Sequence, residues 1–185
     1  LVKPFFSEID GVRISTRPDA IDDNILVFCR ENKVKTIELG IQSFADAVLS
    51  ASARGYSKTA AIFACRKVKS TGFRLGIQLM PGLPGFSRDA LTETLRETIA
   101  LSPEFVRIYP TVVLKKTRLE KWFQTGKYHP LELNEAVKIA ASMKTELEKH
   151  KIRVIKTGLH SDLEIDEIAA GPFHPAFGEL VRAEM

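Results

Sequence analysis

The chain has 185 residues, 44% of them hydrophobic and 27% charged, which is enough for one domain with a real core and a small appendage. A net charge of +4 permits nucleic acid or another anion as partner without requiring one. No apolar run approaches the ~20 residues of a membrane span, no signal peptide is expected, and two cysteines at no metal spacing (Cys29 and Cys65) read as buried free thiols in a reducing cytoplasm.

In chain order, residues 3–8 read as a helix end or a loop, and residues 11–16, GVRIST, as a short strand. Arg17-Pro18-Asp19 is a strand-end turn, because proline pushes Arg17 away from helix. Asp19 or Asp22 then caps a helix over about 21–31, with Ile21, Ile25, Leu26 and Cys29 on its apolar side. Residues 35–41 form the second strand, closed by Gln42-Ser43-Phe44, and Ser43 is read as the cap of a short helix over 45–53. Arg54-Gly55-Tyr56 is a turn. Ser57 caps a long helix to about Thr71, which Gly72 ends.

Residues 73–85, FRLGIQLMPGLPG, organise the rest. Phe73, Leu75, Ile77 and Leu79 alternate with Arg74, Gly76, Gln78 and Met80, a strand pattern. Two prolines and two glycines then break the ladder, and a helix over 87–101 follows, with Leu91, Leu95 and Ile99 on one face. Residues 104–110 are the fourth strand. Four strand–helix units with short connections argue for a parallel sheet. Sites in such sheets lie at the C-terminal ends of the strands, so Gln78, Met80 and the following loop are candidates. Beyond them come a longer connection over 111–130, a helix over 133–150, a fifth strand over 152–158, a turn-rich aromatic tail and a final helix from Leu180.

The blocks ISTRPD, IELGIQSF followed by Arg54-Gly55-Tyr56, GFRLGIQLMPGLPG and VRIYP, in this order and spacing, resemble the radical S-adenosylmethionine enzymes. The nearest likeness is to the Elongator catalytic subunit and its bacterial relatives, with the oxygen-independent coproporphyrinogen oxidases more distant. VIKTGLHSD and AAGPFHPAFGELV resemble the C-terminal extension of the Elongator-like group. The resemblance implies an α/β fold: strands three to six of a partial (β/α)₆ TIM-like barrel over 1–111, then a linker and small α+β extension over 112–185. It implies S-adenosylmethionine and a [4Fe–4S] cluster as cofactors of a full-length parent enzyme. The CxxxCxxC loop that holds the cluster has no counterpart here, and two lone cysteines do not replace it. The chain begins at Leu1, without methionine, and is expected to be an inactive piece of that parent, with no catalytic and no metal-binding residue of its own.

Residue by residue, the resemblance gives Gln42 as a ribose ligand, since an amide both donates and accepts. It puts Gln78 where the coproporphyrinogen oxidases carry a ribose-binding aspartate, and Arg54 where a guanidinium meets the cofactor carboxylate. Ser15 departs from the pattern. The related branches carry glutamate there for the methionine ammonium, so either Thr16-Arg17 does another job or cofactor binding differs. Met80 and the loop to Gly85 shape the adenine pocket through backbone. Tyr109 is read as a half-buried strand-end aromatic, and His129, His160 and His174 share no metal spacing. Lys115, Lys116, Arg118, Lys121 and Trp122 are a solvated basic face or an RNA contact.

Three functions stay open: an Elongator-like enzyme acting on a wobble uridine of tRNA, a related enzyme with a porphyrinogen or small-molecule substrate, and a non-catalytic barrel that binds RNA or protein. The strand at residues 11–16 is expected at an open sheet edge, where a second copy could pair.

Overall fold

A computed structural model describes residues 7–159 and 165–185. Residues 3–6 of the expected first segment, and His160, lie outside that range. The elements in order are β1 (Val12–Thr16), a 3₁₀ turn (Pro18–Ala20), α1 (Asp23–Glu31), β2 (Val34–Gln42), α2 (Asp46–Ala51), α3 (Lys58–Ser70), β3 (Arg74–Leu79), α4 (Arg88–Leu101) and β4 (Phe105–Ile108). After these come β5 (Val113–Leu114), α5 (Arg118–Gln124), α6 (Leu133–Lys149), β6 (Arg153–Thr157), a second 3₁₀ turn (Ile165–Glu167), β7 (Ile168–Ala170) and α7 (Phe177–Glu184).

Five strands form one parallel sheet in the order β1-β2-β3-β4-β6, with β1 at one edge. The order is sequential. Right-handed crossovers between successive neighbours put the helices on one side, which is barrel winding rather than the two-sided winding of an open sheet. The helix side is filled by Ile37, Leu39 and Ile41 of β2, Leu75, Ile77 and Leu79 of β3, and Val106 and Ile108 of β4. All belong to one apolar cluster with Leu26, Ala61, Ala64, Cys65, Val68 and Leu147 from the helices. Burying each large aliphatic side chain contributes about 1.5–3 kcal/mol.

Local sequence accounts for most boundaries. Asp22 accepts from the Ile25 N–H at 2.8 Å, Ser57 from Ala60, Ser87 from Ala90 and Thr117 from Glu120, so α1, α3, α4 and α5 each start on a side-chain cap. Several expectations are corrected. α1 buries Leu26 and Cys29 but turns Ile25 outward, 40% exposed, because the helix starts at Asp23 and its inward stripe is narrow. Ser43 does not cap α2. It sits in the turn before it, accepts from the Ala45 N–H at 3.1 Å and hydrogen-bonds Thr94 Oγ1 of α4 at 2.9 Å. In α4 the buried positions are Ala90, Thr94, Thr98 and Leu101, while Leu91, Leu95 and Ile99 are partly buried beside them. Thr98 hides its hydroxyl by bonding the Thr94 carbonyl at 2.7 Å, which lets threonine take an apolar seat.

The segment 111–130 is not a plain connection: it holds β5, which pairs antiparallel with β7, and the capped helix α5. The final helix starts at Phe177, not Leu180, and buries Phe177 and Val181 in the main core. Cys29 and Cys65 are buried and unpaired, as expected.

Candidate functional site

The inward pleat of the sheet is polar. The residues between the apolar ones point to the concave side: Arg13 and Ser15 on β1, Glu38 and Gln42 on β2, Gln78 on β3, and Arg107 on β4. Register aligns them, with Ser15 opposite Glu38, Gly40 opposite Gln78, and Gln78 opposite Arg107. Glu38 is fully buried. Its Oε1 accepts from Gln78 Nε2 at 2.6 Å and lies 3.5 Å from Arg107 Nε, and its Oε2 lies 3.9 Å from Arg13 Nε. Arg107 also donates to the Tyr109 hydroxyl at 3.1 Å, and the Arg13 guanidinium covers the Phe105 ring at 5.6 Å. Two cations around one buried carboxylate offset its desolvation.

Above this layer the strand ends form a rim. Gln42 ends β2 with φ +67°, a left-handed conformation that costs a non-glycine residue about 1–2 kcal/mol. Its surroundings hold it there. The Met80 N–H donates to the Gln42 carbonyl at 2.9 Å, and the Tyr56 hydroxyl reaches the carbonyls of Gly40 and Ile41 at 2.9 and 3.0 Å. Gly40 leaves room for the two glutamine side chains. A Cβ there would lie 2.9 Å from Gln42 Nε2 and 3.9 Å from Gln78 Oε1. Gln42 is 8% exposed, and its Oε1 is buried without a hydrogen-bond partner. A buried acceptor left open beside a strained backbone marks a place where a donor from outside the chain fits.

A second group stands at the end of β1. Arg17 is clamped by Asp19 through hydrogen bonds of 2.9 and 2.8 Å, donates to the Arg54 carbonyl at 2.7 Å and lies over the Tyr56 ring. The same hydrogen bond holds the Asp19 carboxyl below its ordinary range. Arg54 is half-buried, and its one side-chain hydrogen bond among the described residues is a long one, 3.4 Å to the Tyr56 hydroxyl. Its guanidinium therefore keeps donors for an anion, whereas Arg17 has spent most of its own. Ser15 is exposed beside Glu38 in register.

The structure thus joins Gln42, Gln78 and Met80 in one rim, and Arg17, Arg54 and Tyr56 in a neighbouring cluster tied to it by Tyr56. Tyr109 is buried rather than half-buried, 6% exposed, because its ring continues the inward pleat of β4 beside Arg107. Arg13, Glu38 and Arg107 escaped the sequence reading. Their signal was present: Glu38 stands four residues before Gln42, so the two share a pleat, and Arg107 interrupts an otherwise apolar strand.

Beyond the 80–85 loop lies a cleft of about 520 Å³ between Gly82, Pro84 and Phe86 on one side and Trp122, Tyr128 and His129 on the other. The Tyr128 hydroxyl donates to the Gly82 carbonyl at 2.6 Å and closes the floor. Lys115, Lys116, Arg118 and Lys121 are exposed around α5, and the Arg118 guanidinium stacks 4.6 Å from the Trp122 ring.

The two cofactors fare differently as tenants. Gln42, Gln78 and Arg54 offer the acceptors and donors that a nucleoside with a carboxylate tail needs. An iron–sulfur cluster finds no ligand set: Cys29 and Cys65 are buried among apolar side chains, burial pushes the Cys65 thiol up to about 12, and no group of three ligating side chains occurs among the described residues. No helix among the described residues is long and apolar enough to cross a membrane.

Comparison with known proteins bears on the fold and the family. Residues 103–185 match the radical SAM C-terminal domain family. A tRNA uridine(34) acetyltransferase of Methanocaldococcus infernus is 28% identical over 171 residues, covering 91% of this chain and 32% of that protein. The solved structure of the Methanocaldococcus infernus Elp3 with an N-terminal deletion superposes with a TM-score of 0.85 at 28% identity, over 95% of this chain and 41% of that one. The Escherichia coli coproporphyrinogen III oxidase, a radical SAM enzyme, shares the fold at a TM-score of 0.61 and 18% identity, over 76% of this chain and 32% of that one. The chain spans about a third of the length of the curated relatives it matches. In sequence and in fold, it is similar to the Elongator-like radical S-adenosylmethionine proteins over nearly its whole length.

Proposed function

We propose that this chain forms the cofactor-facing part of a radical S-adenosylmethionine barrel whose full-length protein modifies the wobble uridine of tRNA. The observation that carries the reading is the buried, unpartnered Gln42 Oε1 at the end of β2, beside Gln78 and above Gly40. In this reading Gln42 and Gln78 hold the ribose hydroxyls, Arg54 takes the cofactor carboxylate, and the backbone from Met80 to Gly85 walls the adenine. Arg17 positions Arg54 through its carbonyl rather than touching the cofactor. Serine at position 15 brings no charge, so the ammonium of the methionine tail is left to another group. When bound, S-adenosylmethionine and its [4Fe–4S] cluster supply a 5′-deoxyadenosyl radical by reductive cleavage, and the cluster ligands come from outside this chain.

The tRNA part of the reading rests on the similar acetyltransferase and on the aromatic cleft lined by Trp122, Lys127 and Tyr128, next to which Arg118 lies over the Trp122 ring as a stacking surface. Because β6 joins the main sheet beside β4, the barrel portion is read as running past residue 111 through α6 and β6, with the β5, α5, β7 and α7 segments as linker and extension, in a protein of the reducing cytoplasm. The β1 edge is read as a pairing edge for further strands or a second copy.

The test uses the full-length protein reconstituted anaerobically with iron and sulfide. The reading expects a [4Fe–4S] absorbance, and 5′-deoxyadenosine from S-adenosylmethionine after reduction. Gln42→Ala and Arg54→Ala should both weaken cofactor binding. A protein that never takes up a cluster would make the barrel a scaffold for RNA or protein.

A further inference from the structure

We infer that Glu38 is a positioning residue that fixes the polarity of the Gln78 amide, so that Gln78 presents a carbonyl oxygen, and no N–H, to the nucleoside. The inference rests on the cofactor reading above. A glutamine amide has a donor end and an acceptor end of nearly the same shape, and nothing in the side chain itself decides which end faces a ligand. Here the neighbour decides. Glu38 is fully buried, and a carboxylate only accepts hydrogen bonds. Gln78 Nε2 donates to Glu38 Oε1 at 2.6 Å, a charge-assisted bond. Turning the amide over would set its oxygen against a fully buried carboxylate, two acceptors facing each other. The remaining end, Oε1, points along the pleat towards the space above Gly40, 3.9 Å from where a Cβ would stand.

Glu38 is in turn held from both sides. Arg107 Nε stands 3.5 Å from Oε1 and Arg13 Nε 3.9 Å from Oε2, and Arg107 is braced by the Tyr109 hydroxyl. If the carboxylate swung away it would lose both guanidinium contacts. Held in this way Gln78 does a carboxylate's accepting work without a carboxylate's charge. A carboxylate at both 38 and 78 would put two anions at hydrogen-bond distance, so the neutral residue at 78 is the one that Glu38 permits.

The test is a polarity swap in the full-length protein, read by calorimetric titration with S-adenosylhomocysteine and checked for folding by thermal melting. In Glu38→Gln the new amide can donate to Gln78 Oε1, orientation is lost, and affinity should fall about tenfold, the scale of one buried hydrogen bond. Gln78→Glu alone opposes two carboxylates and should bind worse still. The double variant, Glu38→Gln with Gln78→Glu, restores one donor and one outward acceptor, and should recover affinity to within about threefold of the parent, again less than one hydrogen bond. A merely structural Glu38 would give no such rescue. A single Glu38→Gln variant that binds like the parent, or a double variant no better than either single one, would overturn the inference while leaving the cofactor reading in place. A parent that does not bind the probe would overturn both. If Glu38→Gln fails to fold, the side-chain amide protons of Gln78 in the unaltered protein decide. They should be shifted downfield and slow to exchange, and amide protons exchanging as fast as those of an exposed glutamine would sink the proposal.

Discussion

The two faces of the main sheet come from alternate residues of the same strands, yet they are finished to different standards. On the helix side Ile37, Leu39, Ile41, Leu75, Ile77 and Leu79 are buried to completion, and each packs within one apolar cluster. On the concave side Glu38, Gln42, Gln78 and Arg107 are held in place but not fully satisfied: Glu38 Oε2, Gln42 Oε1 and Arg107 Nε lack hydrogen-bond partners. A face that only had to be stable would not keep open acceptors next to a residue at φ +67°. The contrast teaches that in a barrel strand the period of two separates stability from function residue by residue.

Substitutions on the two faces should therefore separate the two properties. The largest effect is expected from Ile77→Ala, which empties a fully buried helix-side seat. It should cost about 2–5 kcal/mol of stability by denaturant unfolding, with nucleoside binding intact in the molecules that stay folded. Arg54→Ala should act the other way. Stability should hardly move, while binding of a probe with a carboxylate tail, such as S-adenosylhomocysteine, weakens by about 1.5–3 kcal/mol. Adenosine, which lacks that tail, should bind both proteins alike. Equal losses for the two probes would remove Arg54 from the carboxylate site.

Gln42→Gly sharpens the comparison within one residue. Glycine relieves the left-handed backbone, worth about 1 kcal/mol, so the melting temperature should hold or rise. The amide is gone, so affinity for S-adenosylhomocysteine should fall about tenfold. A drop in both would mean that Gln42 is a structural plug.

The smallest effect concerns the cleft. Burial pushes the Tyr128 phenol up to about 12. Below the unfolded value near pH 10 the phenol is protonated in both states, and its contribution is whole. As pH climbs towards 12 the unfolded chain gives up its proton first, and that contribution is lost. Tyr128→Phe should flatten this part of the alkaline stability curve. At neutral pH it should cost about 1 kcal/mol, for the bond to the Gly82 carbonyl.

Much of this was legible in the sequence. The alternation in β3, the caps at Asp22 and Ser57, and the glycine at Gly72 follow from local rules, and the strand-end position of Gln42 follows from the pattern around it. What escaped needed the third dimension. Ser43 looked like a cap because it precedes a helix, but its hydroxyl is taken by Thr94, 51 positions away. The pattern in α4 set Leu91, Leu95 and Ile99 on one face, yet Thr98 spends its hydroxyl on its own helix and packs as an apolar residue beside them. Glu38 hid in plain view: a lone glutamate in an apolar strand reads as a misfit until Arg13, Gln78 and Arg107 arrive from three other strands. Ion pairs across neighbouring strands depend on register, which sequence alone specifies weakly.

The most direct test of the central claim, that the concave rim is a nucleoside site, is a titration followed by nuclear magnetic resonance. S-adenosylhomocysteine is added to the isotopically labelled chain, and the side-chain amides of Gln42 and Gln78 are watched together with the methyl groups of Ile37, Ile41 and Ile77. The account predicts that both amides shift saturably while the helix-side methyls stay still. Amides that do not move, or movements spread equally over both faces, would contradict it.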